Sequence, residues 1–143
     1  ALSFSAVITI ILIQLSSISA LDINTSLTES ASDADYDVWT IDIEKELKEL
    51  DQAYLINFTA AWCITCQAND KLALSRPAVK TYFEENNIKY IKADWTNRDN
   101  DILEVLTEYG RTGVPLYLYW KPGLDKTLIL PAVLTEELLI NSL

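Results

Sequence analysis

Apolar and polar residues change their spacing several times along residues 38–143. Short apolar runs, typical of buried strands, alternate with longer segments in which apolar residues recur every three or four positions, as on one face of a helix. The runs predict strands at 38–40, 54–59, 88–93, 116–120 and 127–130. The longer segments predict helices at 41–50, 63–72 or 63–74, 77–85 and 101–109, with a last helix after Thr135. The order β-α-β-α-β-α-β-β-α predicts an α/β domain with a mixed central sheet flanked by helices.

Residues with known preferences for helix ends support these boundaries. Pro77 suits the first turn of its helix, where a proline loses no hydrogen bond. Asp99 or Asn100 can cap the next helix, and Gly110 suits the position that follows it. Thr135 can cap the last helix. A chain of 143 residues is long enough for one such domain with its own core.

The first 21 residues carry no charge. A helix of that length would span about 30 Å, the thickness of a bilayer core. We expect one hydrophobic helix at 1–21, either a transmembrane helix of a longer membrane protein or a signal segment. The transmembrane interpretation is favoured because a signal peptide needs a basic first region, and the first basic residue is Lys45. A buried helix is less favoured, because the polar residues of this segment share no common face.

Residues 22–37 contain several Asp, Ser and Thr residues but no Lys or Arg. This composition predicts a flexible acidic linker between the hydrophobic helix and the domain at 38–143. Cytoplasmic flanks of membrane helices carry an excess of basic residues, so the acidic flank favours the opposite side of the membrane. We therefore expect the domain to lie outside the cytoplasm.

The amino-acid composition argues against several classes of function. The net charge is −10, whereas a nucleic-acid-binding domain needs a basic surface. The chain has no His, which excludes His-based acid–base catalysis and any zinc site that needs an imidazole. The two cysteines cannot complete a tetrahedral zinc site by themselves.

Cys63 and Cys66 are the only cysteines, and they follow the predicted strand 54–59 at the start of a helix. A Cys-x-x-Cys pair at this position is typical of a dithiol/disulfide redox site. We expect Cys63 to be the attacking thiol, because the helix N-terminus stabilises its thiolate and lowers its pKa. We expect Cys66, one turn later, to be more buried and to resolve mixed disulfides. A structural disulfide is the alternative, although so small a loop would constrain the unfolded chain little.

Three further residues are candidates for contact with a substrate. Pro115 precedes the predicted strand 116–120, and a cis Val114–Pro115 bond would turn the backbone of Val114 toward an extended substrate segment. A trans proline that opens an edge strand is the alternative. Trp62, next to Cys63, can shield the dithiol and contact partners, or serve in packing alone. Trp95, Tyr117 and Trp120 are expected in the core.

Two polar residues bear on proton transfer. Asp70 lies four residues after Cys66 and therefore on the same helical face. A carboxylate near the thiols would raise their pKa and favour the reduced pair, whereas a solvated surface position for Asp70 is the alternative. Asn57, on the preceding strand, cannot titrate.

Three separated motifs resemble one known family. They are Asn57-Phe58-Thr59-Ala60-Ala61-Trp62-Cys63-Ile64-Thr65-Cys66, Lys92-Ala93-Asp94-Trp95-Thr96-Asn97-Arg98-Asp99 and Gly110-Arg111-Thr112-Gly113-Val114-Pro115-Leu116-Tyr117. The resemblance is to the C-terminal periplasmic domain of DsbD-type transmembrane thiol:disulfide reductases, and it covers residues 39–143. It implies a thioredoxin fold preceded by a membrane helix. Asp70 stands where the family often has an acid, commonly Glu, and Asn57 departs from the Asp that is frequent at its position.

The resemblance also implies a role. In this family the C-terminal domain takes electrons from a membrane domain and passes them to an N-terminal periplasmic domain. That domain then reduces disulfide isomerases and proteins of cytochrome c biogenesis. We therefore expect a reductant at the bacterial inner membrane, facing the periplasm, with a redox-active disulfide and no cofactor or metal.

Two other functions remain open at the level of sequence. One is an independent exported thioredoxin-like oxidase or isomerase, which would have a signal peptide and no membrane domain. The other is a binding module in which Cys63 and Cys66 hold a soft metal such as Cu(I), because thiolates alone suffice for that ion.

Overall fold

Five strands form one mixed sheet within residues 35–143, the part of the chain described by the computed structural model. They are β1 (Asp37–Val38), β2 (Tyr54–Thr59), β3 (Lys89–Asp94), β4 (Leu116–Trp120) and β5 (Leu128–Ile129). Their order across the sheet is β1-β3-β2-β4-β5. Strands β1, β3 and β2 are parallel, whereas β4 is antiparallel to β2 and β5 is antiparallel to β4. The predicted α/β architecture with a mixed central sheet is confirmed.

Each helix lies in a segment for which the apolar spacing predicts one, with differences at the ends that are given below. They are α1 (Ile43–Glu49), α2 (Ile64–Asn69), α3 (Pro77–Glu85), α4 (Asn100–Glu108) and α5 (Glu136–Ser142). Asp99 caps α4 by accepting hydrogen bonds from two backbone N–H groups, and Thr135 caps α5. Gly110 follows α4 with a φ of +69°, a conformation that glycine adopts without strain. These helix-end predictions are confirmed.

One helix differs from its prediction. The single α-helix expected from 63 to 72 or 74 ends at Asn69, and a π-helical turn, Asp70–Leu74, continues it. Its wider spacing is visible in the bond of 2.8 Å from the Ser75 N–H to the Asp70 carbonyl, five residues back. Ala73 and Leu74, both in this turn, are buried in the core. Apolar spacing alone does not reveal such a turn.

Smaller differences concern element ends. β1 covers Asp37–Val38 rather than 38–40, although the Trp39 N–H still donates to the Lys92 carbonyl of β3. The first residue of β1 falls in the segment predicted as linker. Helix α1 starts at Ile43 rather than 41, β3 is shifted by one residue, and β5 is shorter than expected. The hydrophobic helix predicted at 1–21, and the linker up to residue 34, lie outside the described residues. Between residues 35 and 143 no helix is long and apolar enough to cross a membrane.

Strand β2 lies in the centre of the sheet and contributes to the core on both faces. Ile56 and Phe58 pack on the face covered by α1 and α4. Leu55 packs on the opposite face, with side chains of the π-helical turn, α3 and α5. Trp95, Tyr117 and Trp120 are buried, as predicted. Because β2 is held from both sides, the segment that follows Thr59 is presented from a rigid support.

Candidate active site

Cys63 and Cys66 form a disulfide directly after β2, with an S–S distance of 2.05 Å. Cys63 is the N-cap residue of α2, and its Sγ accepts a hydrogen bond of 3.1 Å from the backbone N–H of Cys66. Both side chains are largely buried, with relative exposures of 7% for Cys63 and 3% for Cys66. The slightly more exposed residue of the pair is the one for which the sequence predicts attack on a partner.

Val114 and Pro115 lie beside the disulfide. The Val114–Pro115 peptide bond is cis, as expected from the sequence. The Val114 side chain packs against Cys63, Cys66 and Ala60. Within residues 35–143 neither the N–H nor the C=O of Val114 forms a backbone hydrogen bond. These two groups are available to pair with an extended segment of a substrate.

Next to Cys63, the exposed Trp62 contacts Thr96, Arg98 and the buried Trp95, and we call these four residues the Trp62 rim. The Trp62 side chain is 47% exposed. Its indole N–H donates to the Thr96 carbonyl at 3.1 Å, and its ring lies 5.9 Å from that of Trp95. The Arg98 guanidinium lies 4.9 Å from the Trp62 ring and 5.3 Å from the Trp95 ring. Trp62 is thus both exposed and held in place.

The loop after β3 positions this rim. The Thr96 hydroxyl accepts a hydrogen bond of 2.8 Å from the backbone N–H of Ala61, and the Thr96 N–H donates to the Asp94 carboxylate at 2.9 Å. Arg98 has a φ of +57°, and its N–H donates to the Trp95 carbonyl. Sequence reasoning assigned no role to Thr96 or Arg98. Both lie in the second motif of the resemblance, which was the only signal for them.

On another side of the disulfide lies a groove of about 840 Å³, which we call the Asn57 groove. Its lining includes Cys66, Asn57, Asp70 and Lys92. The Asn57 side chain is 3% exposed, and its Nδ2 donates to the Tyr90 hydroxyl at 2.9 Å. Its Oδ1 is buried and has no hydrogen-bond partner within residues 35–143. The structure therefore brings both polar residues singled out from the sequence to the same groove as Cys66.

Asp70 begins the π-helical turn, and its side chain is partly exposed and paired with a lysine. Its carboxylate lies 3.5 Å from the Lys92 ammonium and accepts a hydrogen bond of 3.2 Å from the Ser75 hydroxyl. The Asp70 side chain is 39% exposed, and an ion pair this accessible to water contributes little to stability. The Lys92 ammonium also lies 4.5 Å from the Tyr36 ring centre. Lys92 was not foreseen as part of the site, because it comes from β3.

Hydroxyl and amide groups behind the groove are hydrogen-bonded to one another or to the backbone. Burial raises the pKa of Tyr90, although its hydrogen bond to Asn57 opposes this effect, so the phenol stays protonated at neutral pH. Asn69, 3% exposed, donates to the Tyr117 hydroxyl and the Ala132 carbonyl, both at 2.8 Å. It also accepts from the Leu134 N–H at 3.1 Å. Asn69 therefore ties α2 to the sheet and to the segment before α5.

Comparisons with known proteins agree with this geometry. Residues 38–122 match the family model described as Thioredoxin-like. The chain is 25% identical over 97 residues to the thiol:disulfide interchange protein DsbD of two Campylobacter jejuni strains, covering 68% of this chain and 17% of each relative. The chain thus spans about a sixth of the length of these curated relatives.

Solved structures share the fold. The oxidised DsbD C-terminal domain of Neisseria meningitidis has a TM-score of 0.58 at 22% identity, covering 75% of this chain and 95% of that domain. Its reduced form gives a TM-score of 0.56 at 22% identity, covering 70% and 86%. A thioredoxin from Thermus thermophilus gives 0.58 at 14% identity, covering 76% and 85%. The chain belongs to the thioredoxin-like family, and its domain is a DsbD-like thiol–disulfide oxidoreductase domain with the redox disulfide Cys63–Cys66.

Proposed function

We propose that this domain is a protein-disulfide reductase that relays electrons from a membrane redox domain to disulfides of periplasmic proteins. The observation that carries the proposal is the disulfide Cys63–Cys66 at the end of β2, with the free backbone groups of Val114 beside it. The likeness to DsbD supports the direction of electron flow. The domain would work at the bacterial inner membrane, facing the periplasm, with residues 1–21 as its tether.

The reaction consists of two thiol–disulfide exchanges. In the first, the Cys63 thiolate attacks one sulfur of the partner disulfide, whose S–S bond breaks as a mixed disulfide forms. The departing partner thiolate takes a proton from solvent. In the second exchange, Cys66 loses its proton and attacks the Cys63 sulfur. The Cys63–Cys66 disulfide forms again, and the second partner thiolate leaves and is protonated.

Each turnover gives the partner two electrons and two protons, and an upstream dithiol must then reduce Cys63–Cys66 again. The exchange requires no metal and no organic cofactor. The Trp62 rim and Val114 would contact the partner, because the exposed indole and the free backbone groups flank Cys63, the predicted attacking residue. Asp70 would accept the proton from Cys66, directly or through water in the Asn57 groove.

The reduction potential of the Cys63–Cys66 pair tests this proposal. It can be measured by equilibration with glutathione or with a thioredoxin of known potential. We expect a value near that of thioredoxin, about −270 mV, or somewhat above it. A value near about −120 mV would identify an oxidant and would replace the relay by an exported oxidase.

A further inference from the structure

Arg98 is an exposed arginine whose charge has no acidic partner within residues 35–143. The chain has 21 Asp and Glu residues, and six of its 11 basic residues form an ion pair in that region. Arg76, for example, donates to the Glu136 carboxylate at 3.1 Å. The Arg98 guanidinium instead contacts the rings of Trp62 and Trp95. A shortage of carboxylates therefore does not explain why Arg98 has no acidic partner.

The carboxylates closest to Arg98 in the sequence are bonded to the backbone. Asp94 Oδ1 accepts from the Thr96 N–H, and Asp99 Oδ1 accepts from the Asp101 N–H, both at 2.9 Å. Arg98 lies in the loop between β3 and α4 with a φ of +57°. Most side chains adopt this left-handed conformation only at a steric cost. The loop thus holds the guanidinium against two rings rather than beside a carboxylate.

Contact with two rings leaves the Arg98 guanidinium able to bind a further group. A guanidinium is planar, so it can lie against an aromatic ring and still donate hydrogen bonds through the N–H groups at its edge. Its charge does not depend on pH in the physiological range. Because the rings already order the side chain, a partner that binds it loses little affinity to further ordering.

Trp95 joins Arg98 to the surface around the dithiol. The Trp95 ring lies 5.3 Å from the Arg98 guanidinium and 5.9 Å from the ring of Trp62, the residue before the attacking cysteine. A side-chain carbon placed on Gly113 would lie 3.8 Å from the Trp95 ring, so the chain just before Val114 passes beside this ring. A partner segment that pairs with the Val114 backbone would therefore lie on the same surface as the guanidinium.

Carboxylates are the groups of a partner protein that suit this guanidinium. An arginine can bind a carboxylate through two parallel N–H···O bonds, which are stronger than bonds to neutral acceptors. We propose that Arg98 is a specificity-determining residue that binds an Asp or Glu side chain close to the partner's cysteine. The ion pair forms while Cys63 attacks the partner disulfide, so it favours partners with an acidic segment around that cysteine. The inference rests on the proposed function only in that the domain exchanges thiols with protein disulfides.

Three peptide disulfides test the assignment. Each is a dimer of a peptide with one cysteine and blocked termini, and the two residues on each side of the cysteine are Glu, Gln or Lys. The reduced protein converts the peptide disulfide to two thiols and becomes the Cys63–Cys66 disulfide, so electrons and protons balance. Stopped-flow fluorescence gives the rate for each peptide at about 0.1 M salt, where exposed charges more than about 10 Å apart are largely screened.

The quantity to compare is the rate with the Glu peptide divided by the rate with the Gln peptide. Comparing this ratio between Arg98→Gln and the wild type cancels differences in peptide reactivity and any general loss of order at Trp62. We expect Arg98→Gln to lower the ratio about two- to fivefold, the effect of an exposed ion pair. The rate with the Lys peptide, divided by that with the Gln peptide, should rise.

Lys126→Gln is the matched control, because it changes the net charge by the same amount. Lys126 is exposed and lies between β4 and β5, at the end of β4 that is remote from Pro115. It forms no ion pair within residues 35–143. Its rate ratios should equal those of the wild type. An equal fall in both variants would assign the effect to net charge and overturn the role of Arg98.

The salt dependence of the wild type gives a second readout that needs no variant. Raising the salt to about 0.5 M should lower the ratio of the Glu-peptide rate to the Gln-peptide rate, because salt screens an exposed ion pair. A ratio that does not fall would contradict the ion pair. Failure to reduce any of the three peptides would contradict the proposed function together with this inference. Equal ratios in Arg98→Gln and the wild type would contradict this inference alone.

Discussion

The Trp62 rim and the Asn57 groove flank the same disulfide but differ in how completely their polar groups are paired. In the rim, the Trp62 indole, the Thr96 hydroxyl and the Arg98 guanidinium each have a partner within the domain. In the groove, Asn57 Oδ1 has none, and the pair between Asp70 and Lys92 is partly open to solvent. The polar groups of the rim are therefore already held by contacts within the domain, whereas those of the groove are only partly bonded.

This difference suggests a division of work between the two regions. A surface whose groups are already bonded changes little with redox state and suits the docking of partners, because little ordering is lost on binding. The groove contains Cys66 and the partly solvated Asp70 carboxylate, so we expect its charges to act on the proton that Cys66 gains or loses. We therefore expect substitutions in the rim to alter rates with partners, and substitutions in the groove to alter the dithiol/disulfide equilibrium and thiol pKa values.

The largest effect is expected at the cysteines, on which both regions depend. Cys63→Ser should reduce turnover with a disulfide partner to the uncatalysed rate, because the attacking thiol is lost. Cys66→Ser should trap a mixed disulfide between Cys63 and the partner, since the resolving thiol is absent. Non-reducing gel electrophoresis and mass spectrometry detect this adduct. Full activity of Cys66→Ser would show that the two-cysteine mechanism is wrong.

In the rim, Trp62→Ala should slow exchange with a protein disulfide about tenfold, as expected for the loss of an exposed aromatic anchor. The glutathione equilibrium should not change, because no residue of the rim is proposed to exchange a proton with Cys63 or Cys66. With a partner that has no carboxylate near its cysteine, Arg98→Ala should slow exchange less, about two- to fivefold, because it then removes only the cation–π contacts that hold the indole. Stopped-flow fluorescence measures both rates.

Leu50→Ala is a matched control for the rim, because Leu50 is an exposed apolar residue that follows α1. Its exchange rate should equal that of the wild type. A rate loss in Trp62→Ala no larger than in this control would remove the assignment of partner contact to the rim.

The smallest effect is expected in the groove at Asp70. Asp70→Asn removes a negative charge and leaves the Lys92 ammonium uncompensated, so both changes favour thiolates. We expect the pKa of Cys63 to fall, by less than about one unit, since the Asp70 side chain is partly solvated. Thiolate absorbance of the reduced protein, followed during a pH titration, measures this shift. Asp42→Asn, at the start of α1, is the control. Equal pKa values of Cys63 in the two variants would show that Asp70 is an ordinary surface residue.

Much of the site follows from local patterns. The apolar run of β2, the Cys-x-x-Cys pair after it and the proline before β4 are each contained in a few consecutive residues. The π-helical turn was missed because it adds one residue to a helix without changing its composition. Thr96, Arg98 and Lys92 were missed for a different reason. Their roles depend on residues more than 20 positions away, and no local spacing encodes those contacts.

The sequence by itself determined the kind of chemistry and the scaffold. Two cysteines at the start of a helix define a redox pair, and the alternation of apolar spacing defines an α/β sheet, because both depend on short-range geometry. Only the tertiary structure decided the surroundings of each sulfur. Parallel pairing of β2 with β3 brings Lys92 level with Asn57, and antiparallel pairing with β4 places Tyr117 beside it. Packing of α2 on that part of the sheet buries Cys66. Hydrogen bonding and burial depend on distances across the fold, so they emerge only when distant segments meet.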